Sequence, residues 1–261
     1  MFINNFDPIA FKIIFFEIRW YSLAYVFGII FGWIYVKKKL LKKDSSLGTL
    51  FDDLVTYLVI GIILGGRLGY IIFYNPRYYY ENFVEIFMIW TGGMSFHGGL
   101  IGIFLSTLIF SNKYKINKYL LLDLIAVAAP IGIFLGRIAN FINSELIGKV
   151  TNVPWAVIFI NIDNSSRHPS QLYEAFLEGI ILFVILNYIF IKQKYKAGIC
   201  SSAFCIFYGI FRIITEFFRE PDLHLGNIVG PFSMGMILSF VLILTGIFIY
   251  YNENKDKFKK F

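Results

Sequence analysis

Three of the seven arginines, Arg67, Arg137 and Arg212, interrupt long apolar runs, and these are the residues whose type and placement carry chemistry. A guanidinium inside an apolar span is costly and is usually kept for function. It is planar, always charged, and presents a fork of donors matched to phosphate or carboxylate. At the helical rise per residue, Arg67 lies about 10 Å, Arg137 about 6 Å and Arg212 about 9 Å inside the outer ends of their spans. Several guanidiniums at one depth point to a site for an anionic group. For any one of them the plainer reading is snorkelling to headgroups or pairing with a carboxylate. Arg19, Arg77 and Arg167 stand at or beyond span ends, where anchoring is the simpler reading.

Polar neighbours strengthen the cluster. His97 stands in Gly92-Gly93-Met94-Ser95-Phe96-His97-Gly98-Gly99, where glycines let a backbone or a lipid headgroup approach closely. Asn140 follows Arg137 by one helical turn, so one face carries a charge and an amide, and Glu145 lies just beyond. Arg212 and Glu216 are also one turn apart, which fits a neutralising ion pair as well as a site. His168-Pro169-Ser170-Gln171-Leu172-Tyr173-Glu174 reads as a loop entering a helix, with a carboxylate in the first turn as a cap or as a catalytic group.

The elements that position these residues follow from composition. The 261 residues are 57% hydrophobic and 20% aromatic with only 16% charged, and the mean hydropathy is +0.67. Too few polar side chains remain to cover a soluble globule, so this is a multi-span membrane protein. The net charge of +7 does not mark a nucleic-acid partner, because of where the lysines fall. Fifteen of the 24 basic residues form four clusters: Lys37–Lys43, Lys113–Lys118, Lys192–Lys196 and Lys255–Lys260. With every cluster cytoplasmic, the chain must cross twice between neighbours. One span precedes the first cluster, about 20–36; the others are about 50–74, 92–110, 119–141, 171–191, 198–218 and 226–251. The expected fold is therefore all-α, one domain over 1–261 with seven transmembrane helices. Its amino terminus lies outside, with a small external head at 142–170 and a basic cytoplasmic tail at 252–261. Small-xxx-small pairs Gly28/Gly32, Gly61/Gly65, Gly98/Gly102 and Gly132/Gly136 read as helix packing.

Several chemistries are excluded. Three scattered histidines make no H-x-x-x-H or H-E-x-x-H pairing, and there is no G-x-S-x-G and no G-x-x-x-x-G-K-[ST]. Cys200 and Cys205 sit in an apolar span with no adjacent cation, so neither thiol is activated. What survives is a site of arginine, histidine, tyrosine, asparagine and glutamate opening toward the outer leaflet, for lipid chemistry or for anion permeation. A transporter or channel for a small anion or lipid headgroup would continue polar residues through the inner halves of the spans, which read instead as Ile, Leu, Phe and Val.

The segments Arg19–Tyr21, Gly65–Tyr70, His97–Gly102, Gly136–Glu145, Arg167–Glu174 and Phe211–Arg219 resemble, in order, the motifs of the bacterial prolipoprotein diacylglyceryl transferases. The resemblance implies a seven-span inner-membrane enzyme. It would move diacylglyceryl from phosphatidylglycerol to the lipobox cysteine in the signal peptide of an exported prolipoprotein, releasing glycerol phosphate. Among membrane lipids and prolipoproteins as partners, it implies no cofactor and no metal. Arg137 and Arg212 are then the candidates to hold phosphate charge, and His97 the candidate to accept the thiol proton. Glu145 and bulk water remain open as alternatives for that proton. The resemblance places Tyr21, Asn140 and Glu145 at the same site. Arg67, Gly98, Gly99, His168, Glu216 and Arg219 lie in the same motifs and are read with them as substrate-binding. The family usually has glycine where this chain has Ala139 and Ser144, which matters wherever the backbone needs a positive φ.

Overall fold

Long apolar runs leave the backbone no partner but itself, and most of this chain is accordingly helical. The computed structural model describes residues 2–14, 16–193, 196–221, 227–229 and 232–253. In chain order the helices are α1 (Trp20–Tyr35), α2 (Ser45–Phe73), α3 (Pro76–Glu81), α4 (Phe96–Tyr114), α5 (Lys118–Ile142), α6 (Ser170–Glu174), α7 (Leu182–Gln193), α8 (Ile199–Glu216) and α9 (Met234–Glu253). A π-helical turn, Val36–Leu40, extends α1, and a longer one, Ala175–Ile181, joins α6 to α7 without a break.

Six of these helical segments are long and apolar enough to cross a membrane: Trp20–Leu40, Ser45–Phe73, Lys118–Ile142, Ser170–Gln193, Ile199–Glu216 and Met234–Glu253. The protein is a multi-pass membrane protein. The remaining expected span, 92–110, corresponds to α4, shifted toward the carboxyl end. Its 19 residues are diluted by His97 at one end and by Ser111, Asn112 and Lys113 at the other. Gly92 and Gly93 lie outside it with φ of +87° and +76°, and Ser95 caps α4 by accepting from the Gly98 N–H at 3.2 Å. The expected span 226–251 begins outside the described residues, and its helix starts at Met234. Of the expected tail, residues 254–261 also lie outside them.

The chain is mostly helical, in line with the all-α expectation, and short strands are added to the helices. β1 (Phe2–Asn4) pairs parallel with β4 (Val157–Phe159), Phe2 opposite Val157 and Asn4 opposite Phe159, and β4 pairs antiparallel with β5 (Ser166–Arg167). The segment 142–170 thus folds on a three-stranded sheet that recruits the chain's first residues. Phe141, Val157 and Phe159 form its core with Ile147 and Leu172. The buried Asn4 amide ties it to α5 by donating to the Phe141 carbonyl at 2.6 Å. β2 (Ile9–Ile13) and β3 (Phe16–Arg19) make a hairpin before α1, and β6 (Asn227–Val229) with β7 (Phe232–Ser233) another before α9. Strands of three or four residues leave too short an alternation to be read from sequence.

The chain forms two compact units. One is Lys37–Leu122, where α2 and α4 meet along glycines. A side chain on Gly61, Gly65 or Gly69 would run into the backbone of Gly98 or Gly102, so the two backbones approach as only glycine permits. The other joins the chain up to Val36 with that from Asp123 onward. There Gly28 meets Gly132, a Cβ on Gly28 falling 2.8 Å from the Gly132 Cα.

Candidate active site

In the unit that contains α5 to α9, three helical segments bring five charged side chains together. α5 carries Arg137. The continuous helix from Ser170 carries Glu174 and, one turn on through the π-helical stretch, Glu178. α8 carries Arg212 and Glu216. Arg137 donates to Glu178 Oε2 from Nε at 3.3 Å and from Nη2 at 3.0 Å, and its Nη1 lies 3.0 Å from Glu174 Oε2. Arg212 donates from Nη1 to Glu174 Oε1, and its Nη2 lies 2.7 Å from Glu216 Oε2. Glu216 Oε1 also accepts from the Ser233 hydroxyl at 2.9 Å.

The side chains of Glu174 and Glu178 are 0% exposed, and that of Arg137 keeps 16%. Two guanidiniums therefore share three carboxylates away from water, in a setting where each charge depends on its partners. The carboxylate oxygens Glu174 Oε2, Glu178 Oε1 and Glu216 Oε2 lie near cations without an aligned hydrogen bond. The carboxylates hold the guanidinium planes rigidly and leave each cation with N–H groups to offer a ligand. An apolar groove of about 220 Å³ is lined by Phe31 of α1 and by Pro130, Ile131, Phe134, Gly179 and Phe183, on the same helices as Arg137 and Glu178. Gly179 directly follows Glu178, and Phe134 precedes Arg137 by three residues.

Beside the cluster, Asn140 is buried and donates to Glu145 Oε2 at 2.9 Å, while the Asn143 amide donates to Glu145 Oε1 at 3.3 Å. The turn holding them contains Ser144, whose φ is +57°, at one of the two positions where the resemblance led glycine to be expected. Ala139, at the other, is an ordinary buried helical residue. Tyr21, in the first turn of α1, shares a 3.2 Å hydrogen bond with Tyr25. His168 Nδ1 lies 3.2 Å from the Tyr173 hydroxyl, which accepts from Trp155 Nε1 at 2.7 Å. Burial, with Lys149 nearby, lowers the pKa of His168 from its usual value. Arg219 is buried, and its backbone pairs with Gly148.

The remaining sequence-derived residues belong to the unit Lys37–Leu122. His97 is exposed in the first turn of α4. Gly98 lies in the seam against Gly65 and Gly69, with Gly99 beside Ile62. Arg67 is buried and spends its guanidinium on main-chain carbonyls: Nε on Ile86 at 3.0 Å, Nη1 on Gly92 and Gly93, Nη2 on Glu85. It also stacks over the Tyr79 ring at 5.0 Å. It thereby organises the segment between α3 and α4.

Glu178 escaped the sequence reading, and Glu174 was read only as a helix cap or a catalytic group. Both were visible as carboxylates at i and i+4 inside or at the edge of an apolar span, the same signal that singled out the arginines.

The family model for prolipoprotein diacylglyceryl transferase matches residues 8–252. The phosphatidylglycerol–prolipoprotein diacylglyceryl transferase of Rickettsia typhi is 50% identical over 252 residues, covering 95% of this chain and 97% of that protein. The protein of the same name from Rickettsia felis is 49% identical over 253 residues, 96% and 98% of the two chains. That from Rickettsia bellii is 50% identical over 248 residues, 94% of each. With a match from Pro8 almost to the end of the chain and half of all residues shared with these relatives, the chain belongs to the prolipoprotein diacylglyceryl transferase family.

Proposed function

We propose that this enzyme transfers the diacylglyceryl group of phosphatidylglycerol to the lipobox cysteine of prolipoproteins. The observation that carries the reading is the pair Arg137 and Arg212 locked onto the shared, fully buried carboxylate of Glu174. The cysteine sulfur attacks the glyceryl carbon, a C–S bond forms, the C–O bond to phosphate breaks, and glycerol phosphate leaves with the bonding pair. Charge grows on the phosphate oxygens as that bond breaks. Two preorganised guanidiniums in a water-poor site stabilise it without having to reorient. Asn140 and Glu145 orient the donor next to Arg137, with Tyr21, Glu216, Arg219 and His168 lining the same site. His97, exposed on its helix turn, takes the thiol proton, a task suited to an imidazole. Arg67, Gly98 and Gly99 support the segment that presents His97. The groove lined by Phe31 and Phe134 receives an acyl chain. Glycerol phosphate leaves once its charge is held, so the chemistry calls for no cofactor.

The lysine clusters support a seven-span topology in which α4 is the additional crossing. The amino terminus and the 142–170 head then lie outside, the 252–261 tail lies in the cytosol, and the site faces the outer leaflet of the inner membrane. The testing experiment incubates purified protein with phosphatidylglycerol and a lipobox peptide and weighs the peptide. A mass gain of one diacylglyceryl group, absent when the peptide cysteine is replaced by serine, supports the reading. An unmodified peptide contradicts it.

A further inference from the structure

Three buried acceptor atoms stand around the turn that follows α5, and the described residues give none of them a hydrogen bond: Asn143 Oδ1, Ser144 Oγ and Gln171 Oε1. Gln171 is 0% exposed. Its orientation is set by its other end, since Nε2 donates to the Glu145 main-chain carbonyl and leaves Oε1 as the open atom. Both oxygens of the Glu145 carboxylate already accept amide N–H groups, from Asn140 and Asn143. The unpartnered atoms at this turn are neutral: two amide oxygens and one hydroxyl. Buried acceptors without donors are costly and rare, and a ligand that donates to them recovers that loss.

Their position is tied to the ion cluster. Asn140 follows Arg137 by three residues on α5, Gln171 precedes Glu174 by three residues on the facing helix, and Arg137 is joined to Glu174 at 3.0 Å. The acceptors therefore stand on the same two elements that hold the ion cluster, Gln171 one turn before Glu174 and Asn143 with Ser144 on the turn that closes α5 after Arg137. A glycerol esterified to a phosphate held by the guanidiniums carries two hydroxyls, on the second and third carbons from the ester oxygen, and hydroxyls are the donors these atoms lack.

We infer that Gln171, with Asn143 and Ser144, binds the hydroxyl groups of the donor's glycerol headgroup and makes the enzyme selective for a polyol phosphodiester. This rests on the transfer reaction proposed above. Gln171 touches the part of the donor that leaves, so it sets donor specificity and not the identity of the nucleophile.

The test compares kcat/KM for phosphatidylglycerol with that for phosphatidylpropanol of the same acyl chains, a phosphodiester without a free hydroxyl, using purified full-length protein and a lipobox peptide. The wild type should favour phosphatidylglycerol by about tenfold for each hydrogen bond the analogue cannot make. Gln171→Met should lower the ratio by about tenfold, chiefly through the KM for phosphatidylglycerol, and Ser144→Ala should lower it as well. The ratio is read within one preparation, so partial misfolding lowers both rates and leaves it unchanged. If Gln171→Met fails to fold, the wild-type ratio and Ser144→Ala decide. Equal kcat/KM for the two donors in the wild type, or a preference that survives both substitutions, overturns the inference. So does an equal loss with both donors that follows the peptide KM, which would assign these acceptors to the peptide. No transfer from either donor would instead overturn the reaction itself.

Discussion

Arg137 on α5 and Arg212 on α8 meet on one carboxylate, that of Glu174, with Arg137 Nη1 3.0 Å from Oε2 and Arg212 Nη1 donating to Oε1. Like charges brought this close repel strongly in a low-dielectric setting unless an anion lies between them. Glu174 is that anion, and Glu178 and Glu216 hold the outer edges of the two forks. The guanidiniums are held by these carboxylates, which is what the proposed stabilisation of a developing charge requires.

Glu178 is accordingly a positioning residue. Glu178→Ala leaves Arg137 Nε and Nη2 without their acceptor, and removing one partner of a buried pair costs about 3–5 kcal/mol. Glu178→Gln should cost less, because its amide oxygen still accepts from Arg137. Thermal unfolding in detergent should rank the melting temperatures as wild type, then Glu178→Gln, then Glu178→Ala. Equal melting temperatures for the wild type and the alanine variant would remove Glu178 from the cluster's support.

Ser144 tests a demanding backbone position, a non-glycine residue at φ +57°. A left-handed non-glycine residue costs about 1–2 kcal/mol, and glycine's extra unfolded-state freedom offsets about 0.5–1 of it. Ser144→Gly should therefore raise stability by about 0.5–1 kcal/mol, seen as a higher melting temperature. A lower one would show that the serine contributes more than its backbone costs.

The spans were legible because lysine clusters and apolar runs are long-range, additive signals. The arginines and Glu216 were legible because a charge in such a run stands out. The 142–170 sheet was not, since Phe2–Asn4 and Val157–Phe159 are three-residue strands whose partners lie far apart in sequence. Nor was the role of Arg67 legible. A guanidinium that grips carbonyls of Glu85, Ile86, Gly92 and Gly93 looks the same in sequence as one that grips phosphate, and only the positive φ at the two glycines turns their carbonyls toward it.

That role makes its own prediction. Arg67→Lys keeps the charge but cannot reach four carbonyls from one nitrogen. Hydrogen exchange over residues 85–93 should accelerate by at least about tenfold, since each lost charged hydrogen bond is worth about 1.5–3 kcal/mol. Unchanged protection there would show that the segment stands without Arg67.

His168 gives the pH dependence. Its folded pKa is lowered by burial and by Lys149, so the unfolded chain binds the proton more readily. The 142–170 segment that carries it should hold full stability above the ordinary histidine value of about 6.5 and lose stability as the pH falls through and below it. Lys149→Gln should move the His168 ring titration upward by nuclear magnetic resonance, and a downward move would contradict the assigned cause.

The central claim is that a forked, preorganised guanidinium holds the donor's phosphate as the ester bond breaks. The most direct measurement is peptide lipidation by Arg137→Lys, at matched protein level and with folding verified by thermal unfolding. A lysine keeps the charge but is a point donor that cannot hold Glu174, Glu178 and a phosphate together. Loss of one such transition-state donor costs about 10²–10³-fold in rate. The expected result is a fall of that size with the protein folded; near-normal turnover would contradict the claim.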